Sequence, residues 1–203
     1  MNVALIGITG HVGSRVAKEL LRCGHKVLGL ARNVTGVESQ PNLTVAQSDA
    51  TVPSQLSQLL AGSDAVVSAS RFRTSDPTAL LEAVRLSRVP RLLVVGGAGS
   101  LLLPSGQKLI DAPDFPEAYK DEARAGVNFL AALQKEDKID WTFLSPSAEF
   151  VPGDRTTHFR LGTDELLVDS SGRSWISMED FAIALVDELE HPAHDRQRFT
   201  VGY

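Results

Sequence analysis

Nowhere in the 203 residues do roughly 18 apolar side chains follow one another, so no helix of this chain is expected to span a bilayer. The longest uncharged stretch, Leu92 to Gln107, is broken by glycines, serines and Pro104. The first residues carry no basic cluster, and their apolar run meets Gly7 too early to read as a secretory leader. A single cysteine, Cys23, can close no internal disulfide and cannot alone hold a structural zinc. Positive charge is in deficit. Lys and Arg number 20 against 25 Asp and Glu, a net charge of −5, which argues against a protein that coats nucleic acid. The five histidines form no metal-ligand pattern, and no metal is expected. The expectation is a cytoplasmic monomer or homodimer whose partner is a small-molecule acceptor, neither nucleic acid nor membrane.

What is present is an ordinary globular balance, 43% hydrophobic and 22% charged, in a length that suits one domain. Asn2–Ile6 (NVALI) reads as a strand buried on both faces. Val12, Val16 and Leu20 then recur at helical spacing, and Gly24 ends that helix. Lys26–Ala31 is a second strand. The alternation continues through strands at Leu43–Ala46, Asp64–Ser68, Arg91–Val95 and Ile139–Leu144. Helices are expected after Pro53, after Pro77 and around Tyr119. Past Pro146, Thr156–Leu161 and Glu165–Val168 read as two short strands across a turn. Ser177 and Asp180 have capping-box spacing ahead of another helix, and Arg198–Val201 is a last strand. Such alternation implies an α/β, doubly wound parallel sheet with helices on both faces. Residues 1–146 are expected to form a dinucleotide-binding core and residues 147–203 a smaller substrate-side elaboration.

The sharpest signal is Gly7-Ile8-Thr9-Gly10-His11-Val12-Gly13, which leaves the first strand and opens the first helix. Glycines there let backbone approach a pyrophosphate, and the helix N-terminus supplies N–H groups and a positive dipole end. Gly13 would let the helix pack closely on the sheet. About 20 residues on, where an acid would bind the ribose hydroxyls of NAD, stands Arg32, which favours NADP(H) over NAD(H) by pairing with a 2′-phosphate. Asp49, followed by Ala50, could take the adenine amino hydrogen or simply cap a turn. Ser68, Ala69 and Ser70 end strand four, and Gly96 and Gly97 end strand five, leaving room for cofactor at the carboxyl ends of the strands.

GITGHVG, the Asp49-Ala50 pair and the tail from DWTFLSPS through SWISMEDFAIALVDELEHP to RFTVGY together resemble the atypical short-chain dehydrogenase/reductases. Within them the chain looks like a small bacterial group known as NADH-flavin reductases or NAD(P)-binding epimerase/dehydratase-like proteins. It is more distantly similar to flavin reductase/biliverdin reductase B. The resemblance covers essentially the whole chain and implies a Rossmann-type domain with a redox role.

One departure matters. Typical members pair a Tyr with a Lys four residues later and add a Ser at the end of strand five. Here Tyr119 is followed four on by Ala123, and glycines hold the Ser position. Tyr119 is therefore only a weak catalytic candidate, and its place in the helical stripe favours a core role. Chemistry needing no protein acid fits better: hydride transfer from NADPH to FMN, FAD or a quinone-like acceptor. The acceptor is expected near Gly97, Ser100, Pro146 and Phe150 under a lid formed by residues 98–118. Arg155, like Arg160, either meets an anionic acceptor or forms a surface ion pair. Two other readings remain, a non-catalytic NADP(H) sensor and a nucleotide-sugar epimerase or dehydratase; the missing dyad counts against the second.

Overall fold

A computed structural model describes residues 1–203. The strands are β1 (Asn2–Ile6), β2 (Lys26–Ala31), β3 (Leu43–Gln47), β4 (Ala65–Ser68), β5 (Arg91–Val95), β6 (Asp140–Pro146), β7 (Glu149–Val151), β8 (Arg160–Gly162), β9 (Trp175–Ser177) and β10 (Gln197–Gly202). The helices are α1 (His11–Arg22), α2 (Pro53–Leu60), α3 (Pro77–Ser87), α4 (Glu117–Leu133) and α5 (Met178–Glu190). Eight strands form one sheet in the order β3-β2-β1-β4-β5-β6-β10-β8, parallel except for β8, which runs antiparallel to β10. The order reverses at β1, where β2 leaves on one side and β4 on the other. That reversal opens a crevice at the carboxyl ends of the strands.

Period-two alternation of apolar residues makes the two-faced packing. Val3 and Leu5 of β1, with Leu93 and Val95 of β5, face one core shared with Val16 and Leu20 of α1 and Phe181 and Leu185 of α5. Ala4 and Ile6, with Leu92 and Val94, face the other, shared with α2, α3 and α4. Local signals act where the sequence puts them. Gly24 (φ +80) closes α1, its N–H on the Leu21 carbonyl and that of His25 on the Leu20 carbonyl, each at 3.0 Å. Pro53 and Pro77 stand in the first turns of α2 and α3. No helix is long and apolar enough to cross a membrane.

The C-terminal third departs from expectation. Glu165–Val168 is not a strand: Glu165 makes one isolated bridge to Leu102, while Arg160–Gly162 alone pairs with β10. β7 and β9 form a separate two-stranded parallel sheet. Nor is this region confined to the substrate side, since α5 lies in the α1 core and β10 sits inside the main sheet. The capping box forms by half. Ser177 Oγ accepts the Asp180 N–H at 3.0 Å, but the Asp180 carboxylate turns to the 156–157 loop and Tyr203. His194 is not a loose surface side chain; it meets Glu188 at 2.8 Å and stacks on Phe199 with ring centroids 4.0 Å apart.

A strap crosses one face. Glu19 of α1 is 5% exposed and accepts hydrogen bonds from Arg22 (2.5 and 3.0 Å) and from Arg155 (2.9 and 3.1 Å). Burial pushes the Glu19 carboxyl up, but the hydrogen bonds and charge of the two guanidiniums outweigh it and hold the pKa at about 2. A carboxyl depressed below its unfolded value stabilises the fold above that value, and the contribution disappears as pH falls through the folded one. Both arginines are partly exposed, so the net stabilisation is discounted to about 2 kcal/mol, lost between roughly pH 5 and pH 2. Glu19→Gln should remove that portion of the pH dependence in urea unfolding; an unchanged profile would refute the assignment.

Candidate nucleotide and acceptor site

The chain leaves β1 at Ile6 and turns sharply on Gly7, whose φ of +88° suits glycine. Gly7 donates its N–H to the Leu30 carbonyl at 2.7 Å, which fixes the turn against β2. α1 then starts at His11 behind Gly10, and no side chain caps it. The first-turn N–H groups of His11, Val12 and Gly13 have no carbonyl one turn earlier to bond, and they point out of the helix end. A Cβ on Gly7 would lie 2.8 Å from the Ala69 carbonyl oxygen, and one on Gly13 only 2.0 Å from the Gly7 oxygen. The close approach at Gly13 is therefore to the turn's own backbone rather than to the sheet. Glycines at these places bring bare backbone amides to the mouth of the crevice, an arrangement whose donors and dipole fit a pyrophosphate.

A cleft of about 550 Å³ opens in front of this turn. Of the residues expected at a cofactor, Gly7, Thr9, Gly10, Arg32, Asp49, Ala50, Ala69 and Ser70 line it. His11, Val12 and Gly13 stand at its edge and offer N–H groups; the Val12 side chain packs against the core. Ser68 is buried in β4 behind the cleft, 4% exposed. Asp49 is partly engaged already. Its Oδ1 accepts from Thr51 N–H at 3.0 Å and Thr51 Oγ1 at 2.8 Å, and these bonds hold its carboxyl below the ordinary range. Lining residues that were not foreseen include Arg71, just past β4, and Ser48, whose buried hydroxyl has no hydrogen-bond partner. Adjacency to the ends of β4 and β3 was the available signal. Arg32 and Arg71 give the cleft two cations against the single carboxylate of Asp49.

A second cavity, of about 670 Å³, lies beside the first at the ends of β5 and β6. Gly96, Gly97, Ser100, Pro146 and Phe150 line it, so the strand-five glycines face this cavity rather than the cleft. The two glycines differ. A Cβ at Gly96 would strike the Leu144 oxygen and the Phe143 ring, both at 2.5 Å, whereas one at Gly97 would meet only Phe72, at 3.6 Å. Gly96 thus serves packing, and Gly97 leaves space. The partition between the cavities is the turn Arg71–Thr74, held to α4 by Glu122, whose carboxylate accepts the N–H of Phe72 at 2.7 Å and of Arg73 at 3.2 Å. Of the segment 98–118 expected as a lid, residues 98–112 pack as a wall of the cavity. They form two short 3₁₀ turns and bury Leu101 and Ile110.

Two expectations are corrected here. Tyr119 is not a core residue: it is 66% exposed and lines the second cavity. Its helical neighbour Lys120 pairs with Glu117 at 2.6 Å, and Ala123 lines the same cavity four residues on. No cation adjoins the phenol in the manner of the usual dyad. Arg155, expected at the acceptor, is instead bound to Glu19, and Arg160 donates to the Val168 and Tyr203 carbonyls.

Comparison with known proteins agrees with this geometry. Residues 7–192 match the model of a family described as NAD(P)H-binding. The uncharacterized protein YwnB of Bacillus subtilis (strain 168) is 38% identical over 211 aligned residues, spanning 99% of this chain and 98% of that protein. A Bacteroides thetaiotaomicron structure provisionally named an epimerase superposes with a TM-score of 0.95 at 38% identity, covering 100% of this chain and 96% of that one. A Streptococcus pneumoniae TIGR4 structure provisionally named an NADH-flavin reductase gives 0.84 at 31% identity, with 100% and 99% covered. With the phosphate-ready turn at the reversal of the sheet and a family match over nearly its whole length, this chain belongs to the NAD(P)H-binding family and has its Rossmann-like, oxidoreductase-type fold.

Proposed function

We propose that the protein transfers hydride from NADPH to a flat conjugated acceptor, a flavin or a quinone. The observation that carries this reading is the pairing of two cavities across one thin partition. The cleft, with its bare amides and two arginines, has the chemistry of a dinucleotide's phosphate end. The cavity, with Phe72, Phe115, Tyr119 and Phe150 on its walls, has that of a ring-binding site.

NADPH, when bound, supplies the hydride. The chain's own part is placement and exclusion of water. The Gly7–Gly13 turn holds the pyrophosphate, and Arg32 meets the 2′-phosphate. Gly97, where a Cβ would touch only Phe72, leaves room for a ring at the inner wall of the cavity. Glu122 keeps Phe72 and its turn in place by two backbone hydrogen bonds. A quinone takes the hydride and one proton, and the half-exposed cavity lets water deliver that proton. No side chain need act as an acid, in keeping with a Tyr119 that has no lysine four residues on.

The test is NADPH oxidation followed with menadione, riboflavin or FMN against buffer. At least tenfold acceleration with one of them is expected; a rate equal to buffer would leave the sensing role instead. Arg32→Ala should reduce the preference for NADPH over NADH about tenfold, as loss of one charge-assisted phosphate contact does. Tyr119→Phe should leave acceptor reduction within about threefold, whereas a fall of about 100-fold, the size of a general-acid contribution, would make Tyr119 the proton donor.

A further inference from the structure

The two cavities carry opposite charge. The cleft presents Arg32 and Arg71 against Asp49. The cavity at β5 and β6 presents Asp114, Glu122 and Glu149, and no lysine, arginine or histidine lines it. Its carboxylates differ in how far they are neutralised. Glu149 is bound by Arg173 at 2.6 and 3.0 Å, and Glu122 takes two backbone N–H groups. Asp114 is exposed and has no cationic partner. The nearest favourable feature for an anion is the positive end of α4, but the first turn of that helix already carries Glu117. The cation best placed behind the wall, Arg198, is only 8% exposed and is committed to Asp164 and to Ser100 Oγ. Arg155, the other candidate for a phosphate, is held by Glu19 on α1.

We propose that this cavity selects flat ring acceptors without negative charge, and discriminates against those that carry a phosphate or sulfonate. This deepens the redox reading above and rests on the cavity being its acceptor site. An anionic tail would leave water for a surface bearing three carboxylates and no free cation, while a neutral ring has no charge for those carboxylates to repel and can lie against the aromatic walls. The phosphates in the reaction then belong to the donor's cleft alone, which keeps the two substrates from exchanging places.

Matched pairs test it: riboflavin against FMN, and 1,4-naphthoquinone against 1,4-naphthoquinone-2-sulfonate. Binding of each to the full chain saturated with NADP⁺ is measured by fluorescence quenching or calorimetry, without turnover. The neutral member of each pair is expected to bind at least tenfold more tightly at low salt, with the gap narrowing as ionic strength rises. Asp114→Lys, on an exposed position, should raise the affinity for the anionic member relative to its neutral partner at least threefold; equal melting temperatures confirm that the variant folds. Equal or tighter binding of the anion in either pair overturns the proposal. Should neutral ligands bind preferentially while NADPH is never oxidised, the redox reading falls and the selectivity stands. Should none of the four bind, both fall.

Discussion

Gly13→Ala is expected to lower the affinity for NADPH at least 100-fold and to destabilise the fold by about 3 kcal/mol or more. The new methyl would be placed 2.0 Å from the Gly7 oxygen and 2.8 Å from the Gly7 carbonyl carbon. Both are backbone atoms, so no rotamer change relieves the clash. Either α1 retreats from the turn or the turn opens, and both movements misalign the N–H groups that face the phosphate. The control is Gly24→Ala, at the other end of the same helix, where φ is +80 and nothing lies within 4 Å of the added carbon. That change costs only about 1–2 kcal/mol for the left-handed conformation and should leave nucleotide affinity unaltered. Calorimetric titration with NADPH and thermal unfolding of both variants decide the matter. A Gly13→Ala protein that binds like the parent would mean that the turn does not hold the dinucleotide.

The second large effect lies away from the cleft. Asp180 is fully buried in the first turn of α5. Its carboxylate accepts from the N–H of Thr156 at 2.8 Å and of Thr157 at 3.0 Å, from the Thr156 hydroxyl, and from the Tyr203 hydroxyl at 2.7 Å. Four donors and the positive end of the helix converge on this carboxylate, and no cation is hydrogen-bonded to it. Burial, together with the hydrogen bond that the Tyr203 hydroxyl donates to Asp180, pushes the phenol up from its ordinary value. Asp180→Asn turns one acceptor into an amide facing donors. It should cost about 3–5 kcal/mol, or roughly 6–20 °C in melting temperature for a chain of this size. Tyr203→Phe removes a single donor and should cost only about 1 kcal/mol. A shift under about 3 °C for Asp180→Asn in differential scanning calorimetry would show that the network contributes little.

The legibility of the sequence follows from the range of the interactions. The β1–turn–α1 unit could be read because its glycine spacing and helical stripe act within a few residues. The same holds for β5, where Leu92 to Val95 form one buried apolar run behind Arg91. Tyr119 misled because periodicity reports which face a residue occupies, not whether anything lies beneath it. It stands in the first turn of α4, where the helix overhangs the cavity instead of the sheet. Glu19 and Glu188 carry no local signal in the sequence, and the capping-box spacing of Asp180 accounts for its N–H but not for its carboxylate. Their partners come from remote segments: Arg155 for Glu19, Arg91 at 2.8 Å for Glu188, and Thr156 and Tyr203 for Asp180. No local pattern records such pairings. β7 and β9 are three residues each, too short for alternation to show. The charge contrast between the two cavities is likewise a property of surfaces assembled from distant loops.

β10 lies between β6 and β8, although both precede it in the chain. During synthesis, then, β6 presents a naked edge and β8 has no neighbour until residues 197–202 leave the ribosome. The nascent protein must wait in a half-built form, its flank open to pairing with stray strands, until β10 arrives to seal it.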